Sequence, residues 1–202
     1  MSSRKGLHPT QIVAGAFTAL ILLGTFLLTL PIATNSGKST PFMDALFTAT
    51  SATTVTGLST LNVEEHWNLF GHVVIGALIE FGGFGIVGFA SLVAILLEGK
   101  ISLKNRMLTS SEAGSTASNV RGLLFNILKI MLFLQGILFV FLFVRFMTEY
   151  HYEWNKALGH GVFHAMSAFN NAGFALYADN MIGFARDGWI LIPVFMTVFI
   201  AS

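Results

Sequence analysis

Long apolar blocks separated by polar segments dominate the chain. These blocks are Ile12–Leu30, Gly71–Leu97, Leu123–Phe146 and Trp189–Ala201. A helix needs about 20 apolar residues to cross the hydrocarbon core of a bilayer, so the first three blocks predict membrane-spanning helices. The fourth block is still hydrophobic when the sequence reaches Ser202. It predicts a helix too short to cross, and a chain that is truncated or is half of something larger.

Two further apolar stretches, Phe42–Leu58 and Ala157–Leu176, lie between the predicted spans. They are too short to cross a bilayer as helices and too apolar to lie in water. Short apolar segments, of about 10–14 residues, are typical of re-entrant or interfacial structure. We therefore expect each stretch to enter the membrane and to return on the side from which it came.

The two short stretches share a sequence, because Ala45–Leu58 aligns without a gap to Gly161–Phe174. Five aligned positions are identical: Phe47/Phe163, Ala49/Ala165, Ser51/Ser167, Ala52/Ala168 and Gly57/Gly173. Each copy follows one predicted spanning helix and precedes another. This arrangement favours an internal duplication over two unrelated interfacial helices, and duplications in membrane proteins commonly build a pathway between the repeats.

The predicted fold is an all-α membrane protein made of repeated helix–pore loop–helix units, as in two-transmembrane potassium channels. The first unit covers residues 1–98, a polar cytoplasmic connector covers 99–122, and the second unit covers 123–202 with its last helix incomplete. Within each unit, the short helix is followed by a small, polar, glycine-containing run, Thr53–Gly57 or Asn170–Gly173.

These two runs have the composition of cation-binding backbone. Non-helical backbone at membrane depth is tolerated only where it lines a water-filled cavity or is buried in protein. A short helix that enters from outside points its negative C-terminal end inward. Carbonyl groups that follow it can replace the hydration shell of an ion, and glycine permits the dihedral angles that aim them.

Composition supports a membrane protein and excludes several other classes. Hydrophobic residues make up 54% of the chain and charged residues 10%, and the mean hydropathy is +0.72. Soluble domains carry about 25% charged residues. The formal charge of +1 without a basic block argues against nucleic acid as a partner. The absence of Cys excludes disulfides and thiol chemistry, and no nucleophile–base constellation indicates an enzyme.

Three polar features allow more than one interpretation. Gly83-Phe-Gly-Ile-Val-Gly88 matches a dinucleotide fingerprint, but its place inside a predicted span favours close helix packing. His160 and His164, with Glu153 nearby in sequence, have the spacing of a zinc site without a clear third ligand, which favours packing or hydrogen bonding. Glu80 lies deep in a predicted span, either as a cation attractor beside a pathway or as a protonated group bonded to a neighbouring helix.

At three segments the chain resembles the Trk/Ktr/HKT superfamily of potassium transporters, and specifically the membrane subunit of bacterial Ktr or Trk systems. The matching segments are Asp44–Leu58, Ile79–Ile86 and Phe163–Phe174. The resemblance implies potassium uptake across the plasma membrane without a cofactor or another metal. It also implies four units around one pore, a homo-oligomer, and gating by a cytosolic ring of nucleotide-binding regulatory subunits.

Carried onto this sequence, the resemblance gives Gly57 and Gly173 the filter-glycine positions. In the family, serine at the first filter glycine accompanies sodium transport, so Gly57 implies potassium. The carbonyls implied to face the ion belong to Thr54, Val55, Thr56, Asn170, Asn171 and Ala172.

Two features depart from the family pattern. Only two of the four units are present, so a non-conducting membrane scaffold is an alternative, and a membrane-embedded metal enzyme is another. Glu80, a candidate pore-associated residue, stands where glutamine is expected.

The Lys and Arg residues predict the topology. Seven lie on one side of the predicted spans and four on the other, which places the N-terminus and the Lys100–Arg121 segment in the cytoplasm. Because the chain has no native Cys, single cysteines can test this directly. We expect Ser110→Cys to react with an impermeant maleimide only from the cytoplasmic side, and His66→Cys only from outside. Labelling of position 66 only from the cytoplasm would overturn the predicted topology.

Overall fold

The computed structural model describes residues 9–85 and 113–201, which form seven α-helices. The first four are α1 (Pro9–Thr29), α2 (Phe42–Thr53), α3 (Val63–His66) and α4 (Leu69–Gly83). The next three are α5 (Ala113–Thr148), α6 (Trp154–Phe169) and α7 (Gly188–Ala201). Short 3-10 turns lie at Pro31–Ala33 and Ile182–Phe184, and no strand occurs in these two ranges. The all-α prediction is confirmed over the described residues.

The helices pack in two groups of three. In the first group, α1, α2 and α4 contact one another, and in the second group α5, α6 and α7 do so. Contacts between α4 and α6 join the two groups. Each of the helices α2 and α6 thus contacts both of the other helices of its own group.

Helix lengths agree only partly with the predicted spans. Within the described ranges, Phe125–Thr148 is long and apolar enough to cross a membrane. Three other apolar helices are shorter: Val13–Thr29, Leu69–Gly83 and Gly188–Ala201. The prediction of one unbroken helix over the second apolar block is wrong, because α4 ends at Gly83 and Gly85 has φ +80°. Glycine adopts that left-handed conformation without steric cost, so the local sequence permits the break.

The polar segment expected between the units is helical where the structure describes it. Helix α5 begins at Ala113, so the last ten residues of the predicted connector, 113–122, are helical. A helix satisfies its own backbone hydrogen bonds, and this stretch contains no proline to stop it from extending past the apolar span. The part of the predicted connector before Ala113 lies outside the described residues.

Asparagine side chains organise the corner between α1 and α4. Asn68 caps α4 by accepting hydrogen bonds from the N–H groups of Phe70 (2.9 Å) and Gly71 (3.2 Å). The same side chain donates to the carbonyl of Ile32 at 2.7 Å, just beyond α1. Capping satisfies donors that a helix leaves free at its start. One side chain therefore both starts α4 and fixes it against the preceding segment.

Both short helices pack through small residues at matching positions. In α2 these are Ala45, Ala49 and Ala52, all fully buried. In α6 the aligned residues are Gly161, Ala165 and Ala168, also buried. Without a side chain, Gly161 lies close to α5: a Cβ there would be 3.1 Å from the Phe139 ring. Small residues let helix backbones approach closely, which is the usual way membrane helices associate.

Large apolar side chains cover much of the outer surface. Phe26 on α1, Phe133 on α5 and Phe199 on α7 are 62%, 67% and 71% exposed. Many further large apolar side chains of these helices are exposed as well. This surface is suited to contact with lipid chains, as the composition predicted.

A partly buried ion pair links α5 to Asp187, the residue directly before α7. Arg145 Nε donates to Asp187 Oδ2 at 2.9 Å, and the Tyr150 hydroxyl donates to the same oxygen at 3.0 Å. Burial alone would raise the pKa of Asp187, but the hydrogen bonds from Arg145, Tyr150 and the Trp189 N–H lower it below its usual value. The stability that this carboxylate contributes is therefore present at neutral pH and is lost as pH falls through the lowered pKa.

Glycine at position 82 is required where α4 crosses the end of α2. A Cβ there would overlap the carbonyl oxygen of Thr53 and lie 2.8 Å from its carbonyl carbon. We expect Gly82→Ala to destabilise the protein by about 1–3 kcal/mol, because overpacking forces backbone shifts. The measurement is the apparent melting temperature in detergent.

The matched control for this substitution is Gly136→Ala on α5, where a Cβ would meet nothing within 4 Å. Alanine is a better helix former than glycine by roughly 0.5–1 kcal/mol, so this control should be neutral or stabilising. Equal melting temperatures for the two variants would contradict the close approach of α4 to α2.

Candidate functional site

The first turn follows α2 and contains two residues in the left-handed region. Helix α2 ends at Thr53, and the chain then passes through Val55 at φ +56° and Gly57 at φ +78°. The N–H of Thr56 donates back to the Ser51 carbonyl at 2.9 Å. A β-branched residue at positive φ is a rare outlier that costs about 1–3 kcal/mol, and such strain concentrates at functional sites.

The second turn follows α6 and repeats the same geometry. Asn171 has φ +55° and Gly173 has φ +71°, at the positions aligned with Val55 and Gly57. The N–H of Ala172 donates to the Ser167 carbonyl at 2.8 Å, as Thr56 does in the first turn. The two aligned stretches therefore also match in structure. In both turns, positive φ occurs at the same two aligned positions.

A serine hydroxyl braces each turn from the preceding helix. Ser51 Oγ accepts a hydrogen bond from the N–H of Leu58 at 2.8 Å. Ser167 Oγ donates to the carbonyl of Phe174 at 2.6 Å. Both serines are buried, and each reaches the residue directly after its turn glycine. The two identical serines thus fix where each turn leaves its helix, although with opposite hydrogen-bond direction.

The two turns lie against each other although 116 residues separate them. A Cβ at Gly57 would overlap the Ala172 carbonyl oxygen and lie 3.0 Å from the Cα of Gly173. A Cβ at Gly173 would in turn lie 3.5 Å from the Cα of Gly57. The fold therefore brings together the two glycines that the sequence singled out, and glycine is needed at Gly57 for both its φ and its surroundings.

Exposure differs along the predicted site residues. Thr54, Thr56, Asn171 and Gly173 are exposed, and Val55 and Gly57 are half-buried. Asn170 and Ala172 are buried. The two turns thus place alternate residues toward open space and toward the protein. The assignment of these residues as ion ligands stays a prediction.

Glu80, on α4, is hydrogen-bonded to two elements of the second helix group, α5 and the end of α6. Its Oε2 accepts a hydrogen bond from Asn170 Nδ2 at 2.8 Å. Gln135 Nε2, on α5, lies 3.1 Å from each carboxylate oxygen. The structure thus supplies hydrogen bonds of the kind that one interpretation of Glu80 expected. Its association with a pore stays a prediction.

The two histidines of α6 take part in packing and hydrogen bonding. His164 Nδ1 lies 2.7 Å from the His160 carbonyl, and His164 Nε2 accepts from the Leu176 N–H at 3.2 Å. Both ring nitrogens of His164 are thereby used. Among the described residues, no group of three or more His, Cys, Asp or Glu side chains is placed to hold a metal ion. Glu153 is exposed at the start of α6.

Comparison with known proteins identifies the family. Residues 3–202 match the family model TrkH, described as cation transport protein. The chain belongs to this family. The resemblance stated from three sequence segments is thereby confirmed.

The TrkH-family relatives include named uptake proteins. The chain is 42% identical over 192 residues to the potassium/sodium uptake protein NtpJ of Enterococcus hirae, covering 95% of this chain and 42% of the relative. It is 40% identical over 180 residues to the Ktr system potassium uptake protein B of Bacillus subtilis, with coverages of 89% and 40%. The protein of the same name from Vibrio alginolyticus is 36% identical over 184 residues, with coverages of 91% and 39%. The chain thus spans about two-fifths of the length of these curated relatives.

Sequence reasoning did not find every residue that shapes this TrkH-family site. It identified both turn glycines and noted both serines only as matching positions. It missed Gln135, whose polar side chain inside an apolar block was the available signal. It also missed the direct packing of Gly83 against Asn170, where a Cβ would lie 2.6 Å from the Asn170 Cβ.

The serine brace of the first turn can be tested by Ser51→Ala. This change leaves the N–H of Leu58 without its acceptor. Leu58 is exposed, so water can replace the lost acceptor and the expected cost is that of one net hydrogen bond, about 0.5–1.5 kcal/mol. We expect a lower melting temperature and faster hydrogen exchange at the Leu58 amide.

The control for the serine brace is Ser59→Ala, because Ser59 is exposed and its hydroxyl bonds only within a local turn at Leu61. It should change stability by no more than a few tenths of a kcal/mol, as surface substitutions usually do. Unchanged exchange at Leu58 in Ser51→Ala would count against the brace.

Proposed function

We propose that the protein carries potassium ions into the cell through a filter of backbone carbonyls, of which this chain supplies two turns. The observation that carries the proposal is the pair of matching turns that meet at Gly57 and Gly173. Membership of the cation-transport family and the names of the relatives support the same proposal.

The turns suit a cation for electrostatic reasons. Each follows the C-terminus of a short helix, where the macrodipole is negative. In each turn, two residues with positive φ, the second of them the glycine, lie on either side of one other residue. Successive peptide groups therefore change direction. Carbonyls aimed in this way replace the water around an ion without adding a formal charge. The proposed ligands are the carbonyls of residues 54–56 and 170–172, next to the two filter glycines.

Potassium is the proposed substrate because the first turn has glycine at position 57. The names of the relatives mention potassium in each case, and sodium also for the Enterococcus hirae protein. A wide carbonyl ring suits a large, weakly hydrated ion. A side chain at Gly57 would displace the Ala172 carbonyl that it touches.

A complete pore needs more filter turns than the two described here. We propose that the two helix groups are two helix–pore loop–helix units, residues 1–98 and 123–202, joined by a cytoplasmic connector at 99–122. They would stand with two further units around one pathway in a multi-pass plasma-membrane protein with a cytoplasmic N-terminus. A homo-oligomer and a cytosolic nucleotide-binding ring that gates the pore complete the proposal.

The proposal is tested in a strain that lacks its own potassium uptake systems and expresses the intact gene product. We expect growth at low potassium, uptake of Rb⁺ as a tracer, and preference for K⁺ over Na⁺. Gly57→Ser should keep transport but lower that preference by roughly tenfold or more, because its side chain disturbs one turn of the carbonyl ring.

Gly37→Ser is the matched control. Gly37 also has positive φ (+65°), but a Cβ there would meet nothing within 4 Å. Both variants therefore carry the same kind of backbone strain, and only one touches the second turn. No growth with the unmodified protein would support the non-conducting scaffold instead. Equal ion preference in Gly57→Ser and Gly37→Ser would reject the filter assignment.

A further inference from the structure

Asn170, at the start of the second turn, is hydrogen-bonded to a residue of the other helix group. Asn170 is the residue at which α6 ends, and its Nδ2 donates both to the Met166 carbonyl at 3.0 Å and to Glu80 Oε2 at 2.8 Å. The two donor hydrogens of the amide are thus both used. One bond ties the side chain to its own helix, and the other ties it to α4.

Glycine on α4 makes this contact possible. A Cβ at Gly83 would overlap the Asn170 side-chain oxygen and lie 2.6 Å from the Asn170 Cβ. Asn170 is only 9% exposed. The side chain is therefore enclosed between α6 and α4, and its position depends on both helices.

Within the part of the chain that the structure describes, the aligned residue of the first turn has no hydrogen bond to another helix group. Thr54 occupies the position of Asn170, and its Oγ1 donates to the Thr50 carbonyl at 2.9 Å and lies 2.7 Å from Thr56 Oγ1. Both partners belong to the same short helix and turn. The two turns thus have the same backbone geometry, but different side-chain hydrogen bonds stabilise them.

Glu80 is itself held in place by a second partner. Gln135 Nε2 lies 3.1 Å from both carboxylate oxygens, so the carboxylate is anchored to α5 as well as to Asn170. An acidic group in an apolar helix is costly and is retained where it has a function and a partner. Here its hydrogen bonds join α4, α5 and α6 at one point.

We propose that Glu80 is a positioning residue for the second filter turn. It acts through Asn170, whose side chain it fixes at the point where α6 gives way to the turn. The hydrogen bond, rather than the negative charge, is what the turn requires. This inference rests on the proposed ion-filter function, and it assigns to the carboxylate a role different from that of a cation attractor beside the pathway.

The test compares Glu80→Gln with Glu80→Leu in the intact gene product, reading the ratio of K⁺ to Na⁺ uptake and the KM for K⁺. Glutamine keeps an oxygen that accepts from Asn170, so Glu80→Gln should retain the wild-type ratio and KM. Leucine removes the acceptor, so Glu80→Leu should lower the ratio by the order of tenfold, the size expected for one buried polar contact. Phe81→Leu, a neighbouring change at an exposed side chain, should leave the ratio unchanged.

Asn170→Ala removes the same hydrogen bond by deleting its donor. It provides a second test of the inference if Glu80→Leu does not fold. It should lower the ratio by a similar factor, and the double variant Glu80→Leu/Asn170→Ala should lose little more, because interacting residues are not additive. Gln135→Leu leaves the Asn170 bond in place and should have a smaller effect.

Three results would overturn the inference. If Glu80→Gln raises the KM as much as Glu80→Leu does, the charge is what matters, and Glu80 attracts cations directly. If Glu80→Leu and Asn170→Ala both transport ions with the wild-type ratio of K⁺ to Na⁺ uptake, Glu80 does not position the turn. Additive losses in the double variant would mean that the two residues act separately. Absence of transport by the wild type is a different failure, because it removes the proposed function and this inference with it.

Discussion

Backbone that leaves the helix at membrane depth must find its hydrogen-bond partners within the protein, since lipid offers none. Both turns, which we propose to lie at membrane depth, satisfy this constraint through equivalent backbone hydrogen bonds. The N–H of Thr56 or Ala172 returns to a serine carbonyl in the preceding helix, and the serine hydroxyl binds the residue just beyond the turn glycine. The N–H groups are therefore directed back toward the helix, which leaves carbonyl oxygens as the atoms that the proposed filter can present to an ion.

The same constraint explains why small residues occur where the elements meet. Both turns are approached closely by their neighbours. Gly82 lies against the last residue of α2, Gly83 against the last turn of α6, and Gly57 against Ala172. Helix α4 thus contacts the ends of both short helices through adjacent glycines. That contact is what brings two turns from separate helix groups into register.

The sequence predicted what depends on local pattern. Apolar blocks, small-residue spacing and a repeated glycine were sufficient to locate both short helices and both turns. The break after Gly83 was missed because an apolar run gives no sign of a change in φ. The positive φ of Val55 was not predictable from propensity, since β-branched residues disfavour it. The link from Glu80 to Gln135 and Asn170 joins positions 55 and 90 residues apart, and only the packed fold reveals it.

The two turns have the same backbone conformation, but their side-chain hydrogen bonds agree only in part. Ser51 and Ser167 are identical and occupy equivalent places, although one hydroxyl accepts and the other donates. Thr54 and Asn170 differ, and among the described residues only Asn170 bonds to another helix group. Helix α4 packs against both turns, because Gly82 lies against Thr53 and Gly83 against Asn170. The first turn therefore meets α4 through close backbone packing, whereas the second is also tied to α4 and α5 by the side-chain hydrogen bonds of Glu80.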